Sequence, residues 1–229
     1  MRTALLLTAA LLSADAALAG RPLVTEDAGT VALGACELES YLARASASGE
    51  PSERLLSLQL GCGVRDDTQL ALQHQRSRAG DHRQRGLSVG GKTRLVDGGD
   101  DAPSVALAYG LGASAETGRD GMSIDGQYLN GVVSWPLSGG LTLHGNLGWN
   151  RSRLAHQTST AWALALEHAD GGPLDLMGEL FDDDRTHHPW VQAGLRWNVL
   201  SERLWLDASW GWQTGTRARA ATVGLRLAF

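Results

Sequence analysis

Many of the titratable and polar residues that could do chemistry in this chain stand one residue apart. Glu37 and Glu39, Lys92 and Arg94, and His144 and Asn146 form such pairs. Glu167, Asp175, Glu179, Arg196, Asp207 and Arg226 stand singly in segments where apolar residues alternate with polar or small ones. Side chains two apart on a strand share a face, so these groups would line one surface carrying charges of both signs. Two chemistries fit. The charges can pair and fill a narrow interior, because a lone buried charge costs several kcal/mol. They can also line a polar conduit that selects solutes without strong preference for anions or cations. The two are compatible, since a paired network can leave a gap.

Other constellations are thinner. His144 and Asn146, with Ser134 nearby, invite a lipid hydrolase, which needs nucleophile, base and orienter within hydrogen-bond reach. No serine motif frames them, and catalysis is not expected. His187-His188 near Asp182 to Asp184 could hold a metal, but adjacent loop histidines are a poor ligand pattern. No metal and no cofactor is expected.

The elements that would position these groups are strands. In the last one, Ala221, Val223, Leu225, Leu227 and Phe229 alternate with Thr222, Gly224, Arg226 and Ala228. Leu56 to Val64, Leu87 to Leu95, Val191 to Val199 and Leu204 to Trp212 repeat this period of two. A closing strand that ends on an aromatic fits an outer-membrane barrel, whose apolar face meets lipid and whose aromatics sit at the interface. The fold class expected is all-β, an antiparallel transmembrane β-barrel of about twelve strands closed by the strand ending in Phe229. Ten strands would remain if Tyr128 to Trp135 or Leu174 to Leu180 were misread. Tight turns (Asp66-Asp67, Ser138 to Gly140, Ser201-Glu202) would lie at one end. Polar turns at Ser46 to Pro51 and Ala79 to Gln84, and longer loops over Ala113 to Asp125, Arg151 to Gln157 and Asp182 to Pro189, would lie at the other. Trp135, Trp149, Trp162, Trp197, Trp210 and Trp212 fall near strand ends, as girdle residues do.

The N-terminus reads as a secretory signal over residues 1–19: Arg2, an apolar run from Ala4 to Leu12, then Ala17-Leu18-Ala19. The run is too short to span a membrane as a helix. Residues 20–34 form a periplasmic or lumen-inserted leader, and 35–229 the barrel. Cys36 and Cys62 are equidistant from a turn around Gly49 and face each other on the outward side. The periplasm is oxidising, so they should form a disulfide. The net charge of -5 and the lack of a basic run in the sequence argue against a nucleic-acid partner.

The segments Arg21-Pro22-Leu23-Val24-Thr25-Glu26-Asp27-Ala28 and Cys36-Glu37-Leu38-Glu39 resemble the start of outer-membrane proteins of the meta-pathway of phenol degradation family. Gly90-Gly91-Lys92 and His144-Gly145-Asn146-Leu147-Gly148 are also similar to that family, with Glu26 where its members usually carry Asp. The resemblance implies a barrel that passes small, often aromatic, compounds.

The function expected is passive passage of small solutes through a narrow polar lumen, narrower than that of porins with about 16 to 18 strands. Many inward positions are Gly or Ala, which leaves space. A closed structural or surface-interaction barrel is the alternative, and a lipid hydrolase the third reading. Expected partners are outer-membrane lipid and lipopolysaccharide, the barrel-assembly machinery through the closing strand, and the solute.

Overall fold

Residues 22–118 and 121–229 are described by a computed structural model, in which consecutive strands wind into a closed barrel. In order they are β1 (Cys36–Ser46), β2 (Glu53–Arg65), β3 (Thr68–Ala79), β4 (His82–Val96), β5 (Ser104–Glu116), β6 (Ser123–Pro136), β7 (Leu141–Ser152), β8 (Gln157–His168), β9 (Leu174–Asp183), β10 (Trp190–Leu200), β11 (Leu204–Gln213) and β12 (Arg219–Ala228). Each strand pairs antiparallel with the next, and β12 returns to β1. There are thus twelve strands, and β6 and β9, the least regular stretches of sequence, are full members of the wall. The signal segment expected over residues 1–19 lies outside the described residues.

Closure is made by the β1–β12 ladder, from Ser46 opposite Arg219 to Glu37 opposite Ala228, and two reciprocal backbone bonds finish it at its end. Cys36 N–H donates to the Phe229 carbonyl at 2.8 Å, and Phe229 N–H donates back to Cys36 at 2.9 Å. No strand is left as a sheet edge, the condition for a sheet in hydrocarbon. We call the end holding Cys36 and Phe229 proximal and the other end distal.

The alternation read from the sequence fixes which residues face out. Leu56, Leu58 and Leu60 of β2, Leu70 and Leu72 of β3 and Val89 of β4 are exposed on the outer wall. So are the six expected girdle tryptophans, Trp135 and Trp197 toward the proximal end and Trp149, Trp210 and Trp212 toward the distal end, with Trp162 between. An apolar exterior of this extent belongs in lipid. Trp190 and Trp205 point inward instead: Trp190 stacks on Phe181 at 6.1 Å, and Arg226 lies over the Trp205 ring.

The expected difference in loop length between the two ends is mostly absent. Strands run further than polar residues suggested, because ladder bonds tolerate polar side chains beyond the apolar band. The loop expected over Ala113 to Asp125 shrinks to 117–122, that over Arg151 to Gln157 to 153–156, and that over Asp182 to Pro189 to 184–189. The turn expected over Ala79 to Gln84 is only Gly80-Asp81. The proximal connection 97–103 is as long as any distal one.

Cys36 and Cys62 are directly opposed in the β1–β2 register and form a disulfide. Cys36 spends its backbone bonds on Phe229, which makes it a non-hydrogen-bonded position toward β2, where facing side chains come closest.

The outward assignment makes a measurable claim. Val89→Arg should impair assembly, since a cation near the midplane of the lipid face costs roughly 2 to 4 kcal/mol. Loss of the fast-migrating folded band on an unheated gel would report it. Normal folding of Val89→Arg together with failure of Lys92→Leu would reverse the assignment.

Candidate functional site

The inward side chains converge on a length of the chain's own backbone. From the proximal rim, where Leu33 bridges to Gly63 and Gly34 N–H donates to the Gly63 carbonyl, residues 22–34 turn into the lumen and cross it. Pro22, the first described residue, lies against Gln192 and Gly194 of β10. Thr25, Glu26 and Ala28 are fully buried.

A buried backbone amide must find a partner, and here wall side chains supply it. Glu179 accepts from Val24 N–H (2.9 Å) and from both the N–H and hydroxyl of Thr25 (2.9 and 2.7 Å). Gln192, opposite Glu179 across β9–β10, donates to Glu179 and to the Pro22 carbonyl. Asn146 accepts from Glu26 N–H at 2.7 Å and donates to the Glu26 carbonyl at 3.0 Å, using its amide as a strand would use a peptide. Ser134 Oγ accepts from Ala28 N–H and Gln69 Oε1 from Val31 N–H. Lys92 Nζ donates to the Asp27 carbonyl at 2.9 Å and lies 3.5 Å from the Asp27 carboxylate.

Apolar contacts and missing side chains complete the seat. Leu23 packs on Ala165 and Met177, and Ala28 on Ala106 and Val132. A Cβ at Gly194 would sit 2.8 Å from the Pro22 ring, and one at Gly63 would sit 2.1 Å from the Ala32 carbonyl oxygen. Much of the space that small inward residues were expected to leave open is therefore occupied. The leader fills it at these positions, and the Tyr128 ring fills it over Gly90 and Gly110.

Several of the remaining charges pair along the wall. Arg196 bonds Glu167 at 2.9 Å and lies 3.6 Å from Asp175, its neighbour across β9–β10. Glu167 in turn faces His144 Nε2 at 3.3 Å. Arg226 pairs with Glu37. Arg94 pairs with Asp97 at the proximal rim, partly exposed. Asp207 is buried on β11 and has a partner of its own.

Ser134 Oγ and His144 Nδ1 stand 2.8 Å apart. The third group is Glu167, whereas Asn146, expected beside the pair, turns to the leader. Ser134 Oγ also accepts from Ala28 N–H, so this chain of groups fastens the leader to the wall. In the distal loop, Asp182 bonds Thr186, Asp183 pairs with Arg185 and the His188 ring lies beside Gly215. No cluster of three metal-ligating side chains occurs among the described residues.

The leader divides the lumen. On its distal side is a cavity of about 210 Å³ bordered by Leu23, Tyr41, Leu55, Tyr128, Phe181 and Trp190. On its proximal side is a more polar one of about 160 Å³ bordered by Asp27, Glu37, Gln69, Lys92 and Arg226. Glu39 of β1 and Gln59 of β2 border both, so the two spaces approach each other along that part of the wall.

Sequence reasoning placed the wall groups but missed their principal partner, the Thr25-Glu26-Asp27-Ala28 backbone, and with it Gln69, Asn130 and Gln192. The available signal was a leader of length comparable to the lumen, carrying Thr25, Glu26 and Asp27 among apolar and small residues, and facing glycines that nothing else required.

Two outcomes follow for the leader. Gly194→Val should loosen it, and protection of the Val24 and Thr25 amides from hydrogen exchange should fall about tenfold for each ~1.4 kcal/mol lost. Gly178→Val, where an added Cβ meets nothing within 4 Å, should leave protection unchanged. Burial pushes Glu26 up to about 7, against the pull of Lys92 and the Asn130 hydrogen bond. A raised carboxyl favours the docked state at low pH, and that contribution is lost as pH rises from the ordinary 4.5 through about 7. Leader protection should fall across that window, and Glu26→Gln should remove the dependence.

Similar proteins show the same wall. The KdgM porin solved in complex with disordered oligogalacturonate superposes with a TM-score of 0.62 at 9% identity, over 84% of this chain and 99% of that one. The COG4313 outer membrane channel from Pseudomonas putida F1 does so at 0.58 and 14%, over 89% and 98%. The β domain of the Bordetella autotransporter BrkA does so at 0.55 and 17%, over 84% and 98%. At these identities the likeness is one of fold, shared by porins, channels and an autotransporter domain. No curated protein matches by sequence. The family that matches carries another description than the meta-pathway family, so the resemblance of the opening motifs to that family is not confirmed. The match runs over residues 7–229, and the chain belongs to the family described as uncharacterised conserved protein UCP029691.

Proposed function

We propose that this protein is an outer-membrane channel that lets small solutes cross passively, with residues 22–34 as a plug that narrows the lumen. The proximal end faces the periplasm, where both ends of an even-stranded barrel belong, and the distal end faces outward. The observation that carries the reading is the pair of cavities on either side of the leader, both bordered by Glu39 and Gln59. A solute would enter the distal cavity, pass beside the leader along β1 and β2, and leave past Glu37, Lys92 and Arg226.

The distal lining suggests the kind of solute. Tyr41, Tyr128, Phe181 and Trp190 offer aromatic surface, and no Lys or Arg borders that cavity among the described residues. Acidic oligosaccharides, of the kind in the KdgM complex, are poorly suited to it. Small neutral solutes with one ring or a short apolar body suit it better, in keeping with the aromatic cargo that the leader motifs imply. The dense hydrogen bonding of the leader favours a second reading, a closed structural barrel.

Swelling of proteoliposomes separates the two. Vesicles carrying the folded barrel should admit small sugars, amino acids and phenolic acids faster than empty vesicles, and exclude oligogalacturonate. Permeability equal to that of empty vesicles for all of these solutes would leave the closed barrel as the account.

A further inference from the structure

Outside the barrel, at its distal end, arginines line up across four adjacent strands. Arg44 is directly opposite Arg54, Arg54 opposite Arg78, and Arg78 opposite Arg83. Next to this row, Arg76 is opposite Arg85. All six alternate with the lumen-facing residues and are exposed on the outer wall. They follow directly on the apolar band: Arg44 comes two residues after Leu42, Arg54 two before Leu56 and Arg85 two before Leu87. The chain as a whole is acidic, so this is a local concentration of positive charge.

Like charges directly opposite on neighbouring strands repel and destabilise the pairing. Arg44 reaches Ser52 Oγ, Arg78 the Gly80 carbonyl and Arg76 the His74 ring. Among the described residues none of the six forms an ion pair. Neighbouring strands lie about 4.8 Å apart, so the four-arginine row spans roughly 14 Å. That is wide enough to meet more than one phosphate of one headgroup. Guanidinium forks match phosphate oxygens in a bidentate manner, and the row stands at the depth where lipid headgroups meet the wall.

We propose that the outer wall of β1–β4 at the distal end is a binding site for the phosphates of outer-leaflet lipopolysaccharide, held by Arg44, Arg54, Arg78 and Arg83. The anion supplies a countercharge that no ion pair among the described residues provides to these arginines, and the lipid thereby supports the β1–β4 pairing. The site lies outside the lumen and does not depend on whether the channel is open.

The test is native mass spectrometry of the refolded full-length barrel released from detergent with defined lipids. Lipid A carrying two phosphates should remain bound, while its dephosphorylated form and phosphatidylglycerol should not. Arg54→Gln with Arg78→Gln should weaken retention by about tenfold or more, with a folded gel band like that of the unsubstituted protein. Arg151→Gln, an exposed distal arginine on β7, should have no effect. Equal retention of the phosphorylated and dephosphorylated lipids, equal retention of phosphatidylglycerol, or an equal loss in Arg151→Gln would overturn the proposal. If the double variant does not refold, Arg83→Gln and the comparison of the two lipid A forms on the unsubstituted protein decide it.

Discussion

A polypeptide segment inside a barrel brings its peptide groups into a space with little water, and each must be satisfied there. That requirement organises the lumen of this protein. Glu179, Asn146, Ser134, Gln69 and Lys92 come from five different strands, and each meets a backbone group of residues 24–31. The charges that do not meet the leader, such as Arg196 with Glu167 and Arg226 with Glu37, neutralise each other along the wall. The interior is thus a receptor for its own N-terminal segment. The two cavities are what remains after that segment is seated.

The wall was largely legible in the sequence, because a period of two is a local property. Leu56 to Val64 and Ala221 to Phe229 state which side faces lipid without reference to any partner, and Cys36 and Cys62 fall opposite once the hairpin is centred on Gly49. The loop lengths were less legible. His82, Arg83 and Gln84 look like turn residues by type, yet they open β4 because backbone ladder bonds, not side chains, hold a strand together there. The leader was least legible. Nothing periodic marks residues 22–34, and their conformation is imposed by side chains distant in sequence, as when Val24 meets Glu179. For the same reason Gly63 and Gly194 read as open space, although each is small because backbone or a proline ring lies against it.

Charge is distributed by surface. Inside, both signs occur and many of them pair, while the Glu53 carboxylate is buried on β2 with neither oxygen bonded among the described residues. Outside, the apolar band is followed at the distal end by arginines stacked in register, whose mutual repulsion weakens the pairing and would be relieved by an anion from the surroundings. The two surfaces impose separate requirements on the same strands. Arg54 faces out and Leu55 faces in on β2, so one strand contributes to the lipid contact and to the cavity wall through alternate residues.

The central claim is that residues 22–34 set the width of the pathway. Single-channel conductance in a planar bilayer tests it most directly, comparing the refolded full barrel with one lacking residues 22–33. Small, steady current steps for the full barrel and clearly larger ones after deletion are the result predicted. Steps of equal size in the two proteins would show that the leader does not restrict the lumen, and silence in both would contradict a channel altogether.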